Sequence, residues 1–348
     1  MAALPKTYKA FRRTVGTTPT TLEQTTEDIP ATLGPNDVLI KIHAVSLNYR
    51  DVAMMHGKYP VEVIDHGVPA SDCAAEVMKV GSEVHNFKVG DPVAPIFDLY
   101  NLDGTRDDVS ILGGDIDGVL REYAVFHQDV LFHLPKHLSW EEGSTITCAG
   151  VTAWTALDMP RNKGTALLQG TGGVSSFALL ICLGADIKPI ITSSSDKKLD
   201  IAKAAGKTGE VETINYRTYP KWEEEAIKLT NGRGVDIVVD NVGPTQAAQS
   251  LTALARRGVL SMVGFLGGLK ADQTPDLFSP TMQKSLLIKG IAVGDKKDHQ
   301  DLCDFLEAKK ISLKGIIDPG VFSFNDSQTA FYALYDGTKH QGKIVIRI

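Results

Sequence analysis

TALLQGTGGVS, residues 165–175, is the stretch whose reading decides the fold. Thr165 to Gln169 is short, apolar and strand-like. Val174, Phe177, Ala178 and Ile181 then recur at the spacing of one helix face. Between the two stand Gly170, Thr171, Gly172 and Gly173. One glycine permits a tight turn, and the next lets the backbone approach a ligand closely. A helix N-terminus offers unpaired N–H groups and a partial positive charge. A strand, glycine turn and helix in that order therefore suit the pyrophosphate of a dinucleotide. The third glycine of the usual fingerprint is Ser175 here, still small enough for helix–strand packing. A glycine triplet alone is only a tight turn; its surroundings give it weight.

Those surroundings alternate strand with helix. Ile187 to Thr192 reads as the second strand, and Lys197 to Ala205 as a helix ended by Gly206. Val211 to Asn215, Val235 to Val239, Val259 to Phe265 and Leu286 to Val293 are four more strands. Helical stretches at 221–230 and 245–257 separate the first three of these. Six strands in this rhythm predict an α/β domain, a Rossmann-type doubly wound parallel sheet. Ligands of such sheets bind at the carboxyl ends of the strands. Asn241 and Val242 end the fourth strand, and Gly264 and Phe265 end the fifth. Each also reads as an ordinary turn residue.

The second strand ends in Thr192-Ser193-Ser194-Ser195. An NAD site places an Asp or Glu about 20 residues after the glycine turn, on the ribose 2′-hydroxyl. That position is Ser193. Three hydroxyls, with charge from Lys197 or Lys198, suit a 2′-phosphate instead, so the predicted cofactor is NADPH. Asp196 is an awkward neighbour, expected to serve as the helix N-cap. The plain alternative is a solvated serine-rich loop.

At 348 residues the chain is long enough for two domains. Before residue 148 the pattern is short β segments broken by Gly and Pro. Tyr8 to Val15, Val38 to Val45 and Ala75 to Val80 are strands, and residues 98–118 are a polar surface excursion. The net charge of −6 argues against a nucleic-acid partner. No apolar run reaches the roughly 18 to 20 residues needed to span a bilayer. Lys6, Lys9, Arg12 and Arg13 precede no apolar run, so a secretory signal is not expected. Cys73, Cys148, Cys182 and Cys303 form no CxxC pair, which speaks against a disulfide framework and for reduced thiols in the cytoplasm.

GPNDVLIKIHAVSLNYRD (34–51), GSEVHNFKVGDPV (81–93), TCAGVTAWTAL (147–157), the glycine turn, VDIVVDNVG (235–243) and HQGKIVIRI (340–348) together resemble the medium-chain dehydrogenase/reductase superfamily, on its zinc-free, quinone oxidoreductase-like side. The resemblance implies a GroES-like β-barrel catalytic domain at 1–148, completed by 297–348. The Rossmann domain would be inserted at 149–296, with the active site in the cleft between the two. It also implies that Tyr216 contacts a 2′-phosphate. By position, Thr152, in a turn formed by CAGVT (148–152), is expected to face the nicotinamide side.

Zinc-dependent members of that superfamily hold a catalytic metal with a Cys, the His of a Gly-His-Glu segment and a later Cys. The matching residues here are Asn48, Ser71 in Ala70-Ser71-Asp72, and Cys148. Zinc favours Cys and His and wants three protein ligands, so no metal is expected. Cys148 then reads as a buried structural residue. Zinc-free relatives mostly reduce an activated C=C bond, which needs a donor on the carbonyl and a proton source. Asn48, Tyr49 and Tyr59 match the segment lining the cleft in relatives. Tyr59, in HGKYP, reads either as that donor or as a packing residue; for Tyr49 packing is the first reading. Arg50 and Asp51 read as a structural pair at a helix start. Remaining alternatives are a carbonyl reductase or alcohol dehydrogenase of the same superfamily and a silent NADPH-binding protein. A homodimer is expected, because the apolar sixth strand would lie at a sheet edge and relatives join two sheets there.

Overall fold

The computed structural model describes residues 4–270, 275–337 and 341–348; His340, first residue of one segment quoted above, lies outside them. The chain divides into two compact units, Met1–Val151 with Gly294–Ile348, and Thr152–Val293. The first carries β1 (Thr7–Arg13), β2 (Leu22–Asp28), β3 (Asp37–Ser46), β4 (Asp72–Val80), β5 (Pro92–Pro95), β6 (Tyr123–His127) and β7 (Leu131–His133). The second carries β8 (Thr165–Gln169), β9 (Lys188–Ser193), β10 (Glu212–Asn215), β11 (Val235–Asp240), β12 (Leu254–Met262) and β13 (Leu287–Gly290). The returning chain adds β14 (Phe322–Ser323) and β15 (Val345–Arg347) to the first unit.

The helices follow the same order. They are α1 (Tyr49–Met55), α2 (Trp140–Gly143), α3 (Val151–Ala156), α4 (Gly173–Gly184), α5 (Asp196–Lys203), α6 (Trp222–Leu229), α7 (Ala247–Ala253), α8 (Phe278–Lys284), α9 (Lys296–Lys309) and α10 (Ser327–Asp336).

In the second unit the strands lie in the order β10-β9-β8-β11-β12-β13, all parallel. The order reverses between β8 and β11, which is where such sheets bind ligands. Parallel strands covered on both faces need continuous apolar runs. Ala166, Leu167 and Leu168 of β8 and Ile237, Val238 and Val239 of β11 are accordingly buried in succession. Leu167, Ile190, Ile214, Val238 and Leu260 pack with Trp222 of α6 and Leu251 of α7 in one core.

Three elements here differ from the sequence reading. The helix expected over 245–257 stops at Ala253, because Leu254 already pairs with Val235 of β11. The register then jumps to Val259 opposite Ile237, so the residues between form a bulge, with Arg257 at φ +65°. β12 ends at Met262, so Gly264 and Phe265 lie in the loop after it. β13 is shorter than Leu286 to Val293 and covers four residues.

Among the described residues of the first unit seven strands form one sheet, β14-β15-β3-β4-β5-β7, with β6 on β3. β1 and β2 pair separately and antiparallel. The stretch 98–118 is not wholly a surface excursion. Residues 103–109 are exposed, but Ser110, Leu112, Gly113, Gly114 and Gly118 are buried. Two buried guanidinium groups hold that stretch: Arg13 Nη1 donates to the Gly113 carbonyl at 2.9 Å and Arg50 Nη1 to that of Leu112 at 3.0 Å. Burial pushes the Arg13 pKa down to about 10. The CAGVT segment is helical rather than a turn: a π-helical stretch, Ile146–Gly150, runs directly into α3. Thr152 therefore sits inside a helix, buried.

Candidate active site

The glycine turn of the second unit has an open face. Gly170 adopts φ +79°, and a Cβ added at Gly170 or Gly172 would meet nothing within 4 Å. Gly172 is the N-cap of α4, and Gly173 and Val174 open the helix. The turn thus presents bare backbone and a helix N-terminus to whatever approaches, which is what a pyrophosphate requires.

Its shape is set by side chains behind it. The Ser175 hydroxyl donates to the Gln169 carbonyl at 2.8 Å. Asn241 Nδ2 donates to the same carbonyl and to Ser175 Oγ, both at 3.0 Å. Gly170 N–H donates to Thr192 Oγ1 at 3.3 Å. Deeper, Gln169 Nε2 donates to Ser250 Oγ, which donates to Asp240. Asp240 also accepts the N–H groups of Val242 and Gly243. Burial raises the Asp240 pKa, and these donors pull against that rise. Ser175 thus does more than leave room for packing: a glycine could not make either of its bonds. The Asp240–Ser250–Gln169 relay escaped the sequence reading, since nothing in the spacing links residues 169 and 250.

Ser193 ends β9, buried, and its hydroxyl accepts from Ser195 N–H at 3.3 Å. The Tyr216 N–H donates to the Ser193 carbonyl at 3.1 Å, which brings the half-exposed Tyr216 beside the serine run. Ser194 and Ser195 are partly exposed, and Lys197 and Lys198 are exposed. The N-cap of α5 is Ser195, not Asp196. Asp196 is the first helical residue, and its carboxylate accepts from Asn215 Nδ2 at 2.7 Å. Asn215 is within reach because β10 lies parallel beside β9.

In the first unit, Asn48 is the N-cap of α1, and its backbone N–H donates to Asp51 Oδ2 at 2.7 Å. Asp51 is fully buried. Burial pushes its carboxyl pKa up to about 6, against the pull of Arg50 and the Asn48 N–H. Arg50 and Asp51 stand 4.0 Å apart at the helix start. The Arg50 guanidinium lies 4.8 Å from the Phe97 ring centre and 5.9 Å from that of Tyr59. Burial raises the Tyr59 phenol pKa, and the Arg50 charge and hydrogen bond lower it. Tyr49 is 50% exposed.

Around the three metal-ligand positions the donor set is wrong for zinc. The Ser71 hydroxyl donates to Asp72 Oδ1 at 2.6 Å, and the Cys148 backbone N–H donates to Asp72 Oδ2 at 3.1 Å. Burial, with the Asp72 charge beside it, pushes the Cys148 thiol up to about 12. Lys343 Nζ lies 2.6 Å from Asn48 Oδ1, 3.2 Å from the Leu47 carbonyl and 3.7 Å from Asp72 Oδ2. An ammonium already stands among these residues. His66, another conceivable ligand, is instead paired with Glu23 at 2.7 Å at the surface. Among the described residues no three His, Cys, Asp or Glu side chains converge to hold a metal ion. Lys343 was not singled out in the sequence, where it is one basic residue in a β-rich tail.

Residues 34–136 match the alcohol dehydrogenase GroES-like domain, and residues 173–308 match the family described as zinc-binding dehydrogenase. A zinc-type alcohol dehydrogenase-like protein of Schizosaccharomyces pombe is 40% identical over 332 residues, covering 92% of this chain and 93% of its own. A quinone oxidoreductase of Pseudomonas aeruginosa is 28% identical, covering 91% of this chain and 90% of its own. A solved structure of a candidate alcohol dehydrogenase from Sinorhizobium meliloti 1021 is 33% identical, with a TM-score of 0.88 over 99% of this chain and 100% of that one. The chain is an oxidoreductase of the medium-chain dehydrogenase/reductase superfamily, with a Rossmann domain and a GroES-like domain.

Proposed function

We propose that the chain is an NADPH-dependent reductase of activated C=C bonds, of the enone, enoyl or quinone type, that works without zinc. The observation that carries this is the Lys343 ammonium bonded to Asn48 where zinc-dependent relatives keep metal ligands. Alcohol oxidation in those relatives relies on a Lewis acid, which this donor set does not suit. A conjugated carbonyl needs less: hydrogen-bond donors at its oxygen and a proton source. The name of the Pseudomonas relative supports the reading.

The backbone of Gly170, Thr171, Gly172 and Gly173, with Val174, would hold the cofactor pyrophosphate. Ser193, Ser194, Ser195, Lys197, Lys198 and Tyr216 would hold the 2′-phosphate, and Thr152, Asn241, Val242, Gly264 and Phe265 would complete the site. When bound, the cofactor supplies a hydride. The chain's own task is to hold the carbonyl oxygen as charge develops there, through Asn48 or Tyr59, and to let a proton reach the α-carbon. A panel of enones, quinones and aldehydes with NADPH tests the reading; turnover of enones or quinones is expected. Turnover of aldehydes alone would favour the carbonyl reductase that the name of the Schizosaccharomyces relative suggests. No turnover beside tight NADPH binding would mark a silent binding protein.

The purified protein is expected to hold no stoichiometric zinc and to ignore chelators. Metal analysis finding one tightly bound zinc per chain, with activity lost on its removal, contradicts this. The three buried cysteines Cys73, Cys182 and Cys303 are unpaired, which suits a cytoplasmic location. No helix among the described residues is long and apolar enough to cross a membrane.

A homodimer through the β13 edge completes the proposal. Among the described residues β13 pairs only with β12, and Leu287 of β13 and Phe278 and Met282 of the preceding α8 are exposed at 53%, 75% and 66%. Exposed apolar groups beside an open sheet edge favour pairing with a second copy. Light scattering is expected to give a dimer at micromolar concentration, and Leu287→Arg a monomer.

A further inference from the structure

Asn48 carries an asymmetry that its neighbours explain. Its side-chain oxygen lies 2.6 Å from Lys343 Nζ. An ammonium has donors only, so the amide atom touching it must be the oxygen and the NH₂ must face the other way. That Nδ2, shielded from water, has no hydrogen-bond partner among the described residues. A buried donor left unmade is costly, so an orphan of this kind calls for a ligand acceptor. The ammonium is itself well held: Lys343 is 4% exposed and has Asp72 Oδ2 at 3.7 Å to balance its charge. Asp72 is fixed in turn by Ser71 Oγ and the Cys148 N–H.

We propose that Lys343 is a positioning residue that turns the Asn48 amide so that its Nδ2–H donates to the carbonyl oxygen of the substrate. The cation on one end of an amide also polarises it and makes the other end a stronger donor. The ammonium thus acts through Asn48 on the developing negative charge, a task that zinc performs by direct contact. The inference rests on the reading of the substrate as a carbonyl compound. It holds whether the reducible bond is C=C or C=O.

A double-mutant cycle tests it, with 2-cyclohexenone, 1,4-benzoquinone and hexanal as probes in the NADPH-loaded protein. Lys343→Met is expected to lower kcat by about 10- to 100-fold on the probe that turns over, with cofactor Kd changed less than about twofold. In an Asn48→Ala background the same change should cost less than about twofold, because the residue it acts through is gone. Lys343→Arg should recover part of the loss. Calorimetry with cyclohexanone, which cannot be reduced at a C=C bond, and the NADP⁺-loaded protein gives a second readout: Lys343→Met and Asn48→Ala should each weaken binding, without adding. Additive losses would overturn the proposal, as would a Lys343→Met variant that loses cofactor affinity or thermal stability while keeping kcat. Turnover of hexanal alone would fail the C=C reading yet leave the coupling measurable.

Discussion

Ser193→Asp is expected to lower NADPH affinity by about 10- to 100-fold while NADH affinity holds or rises. In the wild type NADPH should bind more tightly than NADH. At the end of β9 the buried Ser193 occupies the position at which an NAD site keeps its acid. A carboxylate there would face a doubly charged 2′-phosphate, and each factor of ten needs only about 1.4 kcal/mol of repulsion. The neighbouring Asp196 carboxylate accepts a hydrogen bond from Asn215 Nδ2, which ties it toward β10. Lys197 and Lys198 remain exposed beside the serines to supply charge. Direct titration of both cofactors checks the result, and retained NADH binding shows that the variant is folded. Equal binding of NADH and NADPH by the wild type would defeat the assignment.

Tyr59→Phe should cut kcat by about 10-fold to 10⁴-fold, the usual scale for losing an acid or oxyanion donor, with cofactor affinity nearly unchanged. The phenol is half-buried beside Arg50, whose charge and hydrogen bond oppose the rise that burial causes. A phenol so placed stays protonated at neutral pH and can donate. Phenylalanine keeps the ring and its contact with the Arg50 cation, so the variant removes the hydroxyl alone. Unchanged turnover on the enone and quinone panel would make Tyr59 a packing residue.

Much of this was legible in the sequence because it is local. The glycine turn, the alternation of strand and helix, and the loss of Cys and His at Asn48 and Ser71 all lie within short windows. What escaped is either long-range or lacks an apolar signature. Lys343 meets Asn48 across 295 positions, and no periodicity announces that contact. β2, LEQTTED, has no buried face and so shows no alternation to read. Ser195 and Asp196 are both good caps, and only the end of β9 decides between them. The bulge after Leu254 hid a strand start inside an apparently helical run. The roles proposed for individual site residues follow from family resemblance more than from the pattern around them.

The tip at residues 103–109 is an exposed segment with closely tethered ends. On one side Asp98 Oδ1 accepts the Ser110 N–H at 2.7 Å, and Leu99 N–H donates to the Ser110 carbonyl at 2.8 Å. Beneath, Arg13 and Arg50 grip the Leu112 and Gly113 carbonyls. A loop whose ends are fixed by the scaffold can change length cheaply, since doubling it costs only about 0.6 kcal/mol of closure entropy. The tip is therefore a natural graft point. Insertions there would leave the sheet unaware of them, and descendants of this fold could vary that surface, or carry a whole inserted domain on it, without re-solving the problem of folding.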